Sequence, residues 1–188
     1  MTHLIRCLIG CAVAFSAIGN GAAAQSAPPK HVAVAKVAPR AEDVASIEAI
    51  VHADYESISG GVGVPRQWAR DFTLYDPNAR SFTPYKDSKS GAINIWNPTE
   101  QEYADATDAH FVADGFSEHE LAHKIVRFGN VATVFSSYDG SLARTGKEYT
   151  RGVNIYQLYF DGKRWWISSV SWDGEREIGD IPADLLPK

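Results

Sequence analysis

The feature that most constrains the fold is the second half of the chain, which holds three runs rich in β-branched and aromatic residues. This composition is typical of β-strands. An Asp161-Gly162 pair separates the last two runs and predicts a tight hairpin turn. Because helical patterns fill the first half, the order is helices and then an antiparallel meander, which predicts an α+β fold. The three runs are VATVFSSYD, EYTRGVNIYQLYF and RWWISSVSW.

The first helical pattern covers residues 43–58, where apolar side chains recur on one stripe and Asp43 is the predicted N-cap. Asp54 falls within this stripe. It is a candidate catalytic acid or base, because burial would raise its pKa toward neutral. The alternative is that Asp54 lies at the edge of the stripe and pairs locally. Two further helices are predicted, a short one at 66–72 and a longer one from Thr99 to Gly115.

Residues 1–24 have the features of a secretory signal peptide, with Arg6, an apolar run, and an A-x-A site at Ala22 and Ala24. Cleavage before Gln25 predicts a periplasmic or secreted protein, and the run is too short to remain as a membrane span. Both cysteines leave with the signal, so the mature chain has no disulfide. Its stability must therefore come from its core alone.

Residues 25–40 are rich in Pro and Ala without a period, and we expect a flexible linker there. Residues 41–188 suffice for one domain and are too few for two. The formal charge is −5, and removing Arg6 with the signal makes it −6. A mildly acidic chain without a basic run argues against nucleic acid and against anionic membrane surfaces as partners.

The stretch His119-Glu120-Leu121-Ala122-His123 matches the H-E-x-x-H string of zinc metalloproteases. The string binds zinc on a helix, where residues i and i+4 share one face. On a strand the two histidines would lie about 13 Å apart, too far to share one ion. The metzincin spacing also requires Gly and His where this chain has Val126 and Gly129. We therefore expect no metal.

Local signals leave residues 117–128 open between helix and strand. Ser117 and Glu120 fit a capping box, which favours a helix, whereas Gly129-Asn130 is a hairpin turn between two runs that pair well.

The strand alternative places two candidate catalytic bases, His119 and His123, on one face with Leu121 and Ile125. Its register puts Leu121 opposite Tyr138. The alternative is that both histidines have no catalytic role and are either solvated or packed in the core.

The last predicted hairpin has two apolar and aromatic faces, although a sheet with one solvated face alternates. We therefore expect helices and a pocket over one face, and a second subunit over the other to give a homodimer. One face carries Arg151, Val153, Ile155, Gln157, Trp166, Ser168, Val170 and Trp172. The other carries Asn154, Tyr156, Leu158, Trp165, Ile167 and Ser169.

The first of these faces mixes large apolar groups with two isolated polar ones, which is typical of a small-molecule pocket. Arg151 lies opposite Trp172 in this register, where a cation–π contact would be worth about 0.5–2 kcal/mol. The alternative is that Arg151 pairs with a carboxylate such as Glu118 or Glu120. The candidate ligand-binding residues are Tyr55, Arg151, Gln157, Trp166 and Trp172.

Six stretches resemble SnoaL-like bacterial proteins of the nuclear-transport-factor-2-like superfamily, and the resemblance spans residues 43–186. It implies a cone-shaped barrel in which a strongly bent antiparallel sheet packs on three N-terminal helices around a pocket. It also implies a strand at 117–128 and a dimer formed through the sheet. The stretches are QWARDFTLYDPNAR, GFSEHE, FGNVATVFSSYD, RGVNIYQL, DGKRWWISSVSWDGER and DIPADLL.

The resemblance does not carry a reaction with it, because this superfamily hosts enzymes, adaptors and assembly domains. Thr83 stands where ketosteroid isomerases of the superfamily have their aspartate base, so that route is not expected. Tyr55 does stand on the first helix, where those enzymes have an oxyanion-binding tyrosine.

Together these features predict a cofactor-free domain that binds a small, largely apolar molecule. Two alternatives remain open: a lyase, isomerase or hydrolase using a His or Asp base, and a dimerising structural module whose own aromatic side chains fill the pocket.

Overall fold

The structure is a computed structural model that describes residues 30–175 and 179–188, so the expected signal peptide lies outside the described residues. The helices are α1 (Ile47–Ile58), α2 (Trp68–Asp71) and α3 (Glu100–Asp114), with 3-10 turns at Glu42–Val44 and Ala183–Leu185. The strands are β1 (Tyr75–Lys86), β2 (Ile93–Trp96), β3 (Phe116–Phe128), β4 (Val131–Leu142), β5 (Lys147–Phe160) and β6 (Trp165–Gly174). No helix among the described residues is long and apolar enough to cross a membrane.

The six strands form one curled, cone-like sheet in the order β2-β1-β6-β5-β4-β3. The predicted α+β class is confirmed. The sheet is mixed rather than antiparallel, because β1 and β6 run parallel, and it is not closed into a barrel. The parallel pair arises because the chain leaves β1, passes through α3 and the β3–β5 meander, and returns along the same direction.

The helix ends follow local capping chemistry. Thr99 and Glu102 form the predicted capping box of α3, and Gly115 ends that helix with a φ of 72°. The prediction for α1 was wrong by one turn, because Ser46 caps it and not Asp43. Asp43 instead accepts a 2.7 Å hydrogen bond from Arg70 on α2.

The core lies where α1 packs into the concave face of the sheet. Ile50, Leu74, Tyr156 and Ile167 have no exposed surface. Burying an aliphatic or aromatic side chain of this size contributes about 1.5–3 kcal/mol. The core therefore fixes the face of α1 that carries Asp54 against the inside of the sheet.

Residues 117–128 lie in a strand, as the resemblance implied. Gly129 and Asn130 form the predicted turn, and His123 pairs with Ser136. The expected pairing of Leu121 with Tyr138 was wrong, because a bulge leaves Leu121 unmatched and Glu120 takes that place. The extra residue reverses the alternation beyond it. As a result, Glu120 and His123 share the concave face, whereas His119 lies on the convex face.

The β5–β6 hairpin departs from the predicted register in two ways. Its loop has four residues, since Phe160 pairs with Trp165, and a bulge lies between the pairs Gln157–Ser169 and Leu158–Ile167. Beyond the bulge Trp172 pairs with Asn154, so Trp172 moves to the concave face. The predicted opposition of Arg151 and Trp172 was therefore wrong.

Part of the segment expected to be a linker lies along α3. The Val32 backbone N–H donates a 2.8 Å hydrogen bond to Asp105, and Gln101 donates one of 3.0 Å to the Val32 carbonyl. Val32 and Val34 also pack on the aromatic side chains beneath α3.

Candidate functional site

Asp54 is a buried acid on the face of α1 that packs against the inside of the sheet. Tyr75 donates a 2.6 Å hydrogen bond to one carboxylate oxygen, and Tyr156 donates one of 2.8 Å to the other. Burial raises the pKa of Asp54 to about 6, although both hydrogen bonds lower it. Because both oxygens are occupied, Asp54 is held in place by the protein itself.

Two more carboxyl groups come from α2 and α3. Ser57 donates a 2.6 Å hydrogen bond to Asp71, which is 1% exposed, and burial raises the pKa of Asp71 well above its usual value. Ser81 donates a longer hydrogen bond of 3.3 Å to Glu100. Burial, followed by the negative charge of Asp54, raises the pKa of Glu100 to about 8.

The fourth carboxyl group is Glu118, on the concave face of β3. Asn154 donates a 3.1 Å hydrogen bond to its Oε1 atom. Burial raises the pKa of Glu118 to about 8, against the lowering effect of that bond. Yet the residue is only half-buried by surface area. Both observations hold if the side chain lies deep in the fold and lines a space that water reaches.

These four residues, called the carboxyl cluster below, have no cationic partner in the described part of the chain. No Lys, Arg or His of residues 30–175 and 179–188 contributes to their pKa shifts, and the charges that do contribute are negative. Burying carboxylates without a counter-ion is costly, and such groups respond by staying protonated. The cluster is Asp54, Asp71, Glu100 and Glu118.

An aromatic group borders the cluster at the end of the cone that α3 covers. The ring of Tyr103 lies 5.9 Å from that of Trp172 and 5.8 Å from that of Trp96, measured between centroids. The negative charge of Glu118 is, after burial, the largest cause of the raised pKa of Tyr103. Glu100, Tyr103, Glu118 and Trp172 are all half-buried, so this end of the cone is not sealed.

The base of the cone, by contrast, is filled by the protein's own side chains. Tyr55, Tyr75, Tyr138 and Tyr156 are each at most 7% exposed. The half-buried residues beneath α3 are therefore the candidate ligand site.

The residues predicted from the sequence divide between the two faces of the sheet. Asp54, Tyr55, Trp172 and His123 lie on the concave side, where His123 contacts Glu120 and not the carboxyl cluster. The other four predicted residues lie on the convex side, and each has a partner there. Arg151 forms a 3.1 Å ion pair with Glu175, Gln157 accepts from Thr133, Trp166 donates to Asp161, and His119 lies 3.8 Å from Asp139.

A separate groove of about 250 Å³ lies on the convex side, lined by Val153, Ile155 and Ser171 of the sheet and by Ile181 and Pro182. No member of the carboxyl cluster borders it. The described residues contain no group of three or more His, Cys, Asp or Glu side chains placed to hold a metal ion.

Sequence reasoning missed Asp71, Glu100, Tyr75 and most of the role of Glu118. One signal was available for Asn154: it is an amide on a strand face that otherwise holds Tyr156, Leu158 and Trp165. An amide among these apolar side chains needs a buried partner. No comparable signal marked Glu100, which reads as an ordinary acidic residue in the first turn of a helix.

Several solved structures resemble this one, among them two proteins of unknown function. An NTF2-like protein of unknown function from Pseudomonas putida KT2440 aligns with a TM-score of 0.52 and 10% identity, covering 75% of this chain and 94% of that one. A protein of unknown function with a cystatin-like fold from Nostoc punctiforme PCC 73102 aligns with a TM-score of 0.52 and 8% identity, covering 70% and 90%. No protein-family model matches the sequence, and no curated protein is similar to it. The chain has the nuclear-transport-factor-2-like fold, which confirms the resemblance at the level of architecture.

Proposed function

We propose that this protein binds a small molecule in the end of the cone beneath α3, and that the molecule combines an apolar body with a protonated amine. The observation that carries the proposal is the carboxyl cluster, four acids gathered without a cation in the described residues. A bound ammonium group would supply the missing charge. Tyr103 and Trp172 would pack on the apolar body and add a cation–π attraction.

Glu118 is the carboxyl group best placed to meet such a ligand. Asp54 has both oxygens bound by tyrosines, whereas Asn154 occupies only Oε1 of Glu118. Because its pKa is about 8, Glu118 is mostly protonated at neutral pH and would lose its proton when a cation binds. Affinity for an amine should therefore rise as the pH rises toward 8.

A matched set of ligands tests the proposal. Benzylamine, benzyl alcohol and benzoate share one ring and differ in charge, and their binding can be followed by ligand-observed NMR and thermal shift at pH 6 and pH 8. We expect benzylamine to bind best and more tightly at pH 8, with Glu118→Gln weakening it. Asp184→Asn, which removes an exposed carboxylate, is the control and should have no effect. Equal or better binding of benzoate, or no binding of any of the three, would overturn the proposal.

Acid–base turnover of a bound molecule is a second candidate function. It is favoured by the position of Glu118 and Asp54 in one cluster with pKa values near the physiological range. Loss of turnover in Glu118→Gln with binding of the neutral benzyl alcohol retained would separate this function from binding alone.

We also propose that the protein is periplasmic or secreted and forms a homodimer through the convex face of the sheet. The signal-like residues 1–24 support the first part. The second is supported by Phe135, Val153 and Ile155, which are large apolar side chains left only half-buried on the convex face. Ile155→Glu should give a monomer in multi-angle light scattering if that face is the interface, and an unchanged mass would contradict it.

A further inference from the structure

We propose that a chain of side chains running from Tyr55 to His123 is a proton relay between the interior of the cone and solvent. It uses two residues of the H-E-x-x-H string, in a role unrelated to zinc. Three contacts connect it: Tyr55 Oη to Ser136 Oγ at 2.7 Å, Ser136 Oγ to Glu120 Oε1 at 2.6 Å, and Glu120 Oε2 to His123 Nδ1 at 3.0 Å.

The donor in each contact follows from counting hydrogens. An ionised carboxylate only accepts, so the single hydroxyl proton of Ser136 goes to Glu120. Tyr55 must then donate to Ser136, because Ser136 has no second proton to give. The Tyr55 oxygen in turn accepts a 3.0 Å hydrogen bond from Asn154. Every hydroxyl in the chain therefore points outward, from the interior to Glu120.

The two ends of the chain lie in different surroundings. Tyr55 is 4% exposed and Ser136 is completely buried. The side chains of Glu120 and His123 are 26% and 37% exposed. The bulge at Leu121 makes the outer contact, because it brings Glu120 and His123 onto one face although three positions separate them. Without that extra residue the alternation of the strand would direct them to opposite sides.

The transfer balances in protons and charge. Tyr55 passes its hydroxyl proton to Ser136 as Ser136 passes its own to Glu120, which leaves a tyrosinate inside and a protonated carboxyl group outside. The partly exposed carboxyl group of Glu120 then releases that proton to water, while the His123 Nδ1–H donated to Oε2 holds the carboxylate in place, and the reverse sequence returns a proton to Tyr55. The Asn154 N–H remains as the donor to the phenolate oxygen during the transfer.

The purpose of the relay rests on the proposed function, because Tyr55 can exchange a proton with a molecule only if the cone is occupied. Asn154 connects the two sites, since its Nδ2 atom donates both to Tyr55 and to Glu118. The relay would let a ligand beside Glu118 exchange a proton with solvent through Tyr55. Its existence can be measured without any ligand, so the relay and the proposed function can fail separately.

Hydroxyl exchange in tyrosine labelled with ¹³C at Cζ tests the relay directly. In a mixture of H₂O and D₂O, the isotope shift of each Cζ signal reports how fast that hydroxyl exchanges with solvent. Tyr156 is the internal reference, because it is as buried as Tyr55 but its hydroxyl bonds to Asp54. At pH 7 we expect Tyr55 to exchange roughly tenfold or more faster than Tyr156.

Two variants assign the exchange to the chain. Ser136→Ala removes the middle hydroxyl, and Glu120→Gln keeps the shape of the side chain but cannot take up a proton. Each variant should slow hydroxyl exchange at Tyr55 roughly tenfold without changing the exchange rate of Tyr156. Asp184→Asn, which removes an exposed carboxylate far along the chain from this network, is the control and should leave the Tyr55 exchange rate unchanged. The proposal is overturned if Tyr55 exchanges as slowly as Tyr156, or if Glu120→Gln leaves its rate unaltered.

Discussion

Tyr156 donates a 2.8 Å hydrogen bond to Asp54 across the interior of the cone, from the middle of β5 to the middle of α1. The bond connects residues 102 positions apart in the sequence, and it fixes the carboxylate against the tyrosine ring on one side. Burial raises the pKa of Asp54 to about 6, and this bond is one of two that keep the pKa from rising further. The contact therefore determines both the position and the charge of this buried acid.

Replacing Tyr156 with Phe should raise the pKa of Asp54 above about 6, because the charged form loses a donor. The free energy of unfolding should fall by about 1–3 kcal/mol. Carboxyl ¹³C NMR gives the pKa, and urea denaturation gives the stability. Tyr159→Phe, which removes a hydrogen bond to the surface residue Asp76, should cost less than about 1 kcal/mol and leave Asp54 unchanged. An unaltered Asp54 titration in Tyr156→Phe would contradict the account.

Stability should fall as the pH rises from 5 to above 8. The folded-state pKa values of Glu100 and Glu118 are raised from 4.5 to about 8, so the folded protein binds these protons more tightly than the unfolded chain. Their contribution is complete below pH 4.5 and is lost as the pH rises through about 8. Each unit of pKa difference corresponds to about 1.4 kcal/mol at most.

The variant Glu118→Gln isolates one of these contributions. A glutamine cannot ionise, so the melting temperature of the variant should depend less on pH than that of the wild type. Asp184→Asn should follow the wild-type curve over this range, because its pKa is lowered by Lys124 and it titrates only in acid. A wild-type curve that is flat or rises between pH 5 and 8 would refute the assignment.

Gly152 and Gly174 pair across β5 and β6 and should respond differently to alanine. A Cβ atom at Gly152 would lie 2.2 Å from the Asp173 carbonyl oxygen and 2.9 Å from the Tyr138 hydroxyl, whereas at Gly174 the nearest atom is 3.8 Å away. Gly152→Ala should therefore lower the unfolding free energy by about 3 kcal/mol, against less than about 1 kcal/mol for Gly174→Ala. Chemical denaturation of both variants measures their unfolding free energies. Equal effects would show that the strands can separate there.

Asp105 holds the segment before the domain against α3, since it accepts from the Val32 N–H at 2.8 Å and lies 3.1 Å from His31. Asp105→Ala should therefore remove the hydrogen-exchange protection of the Val32 amide. The Gly115 amide, which donates to Phe111 inside α3, serves as the unaffected reference. If Val32 is already unprotected in the wild type, residues 31–34 behave as a free linker.

The parts of the fold that depend on local sequence were predictable, and the site was not. The Gly129-Asn130 turn and the α3 capping box follow from a few adjacent residues, and both formed as expected. The bulge at Leu121 is decided by packing across strands, which no short pattern reveals. Because of this bulge, Glu120 and His123 share a face of the strand, whereas the sequence predicted that His119 and His123 would.

The carboxyl cluster was hidden for a related reason. Asp54, Asp71, Glu100 and Glu118 come from three helices and a strand, and each looks ordinary in its own segment. Only the packing of the curled sheet against α1 and α3 brings these four acids together. Asp54 could be suspected because it interrupts an apolar stripe, whereas Glu100 occupies a position where acids favour any helix.

The most direct test of this account is a carboxyl ¹³C NMR titration of the labelled protein from pH 3 to pH 10. The central claim is that acids inside the cone stay protonated near neutral pH because no cation of the described chain compensates them. We expect Asp54 to titrate near pH 6, and Glu100 and Glu118 near pH 8. A protein in which every side-chain carboxyl signal titrates below about pH 5 would contradict the claim and the function built on it.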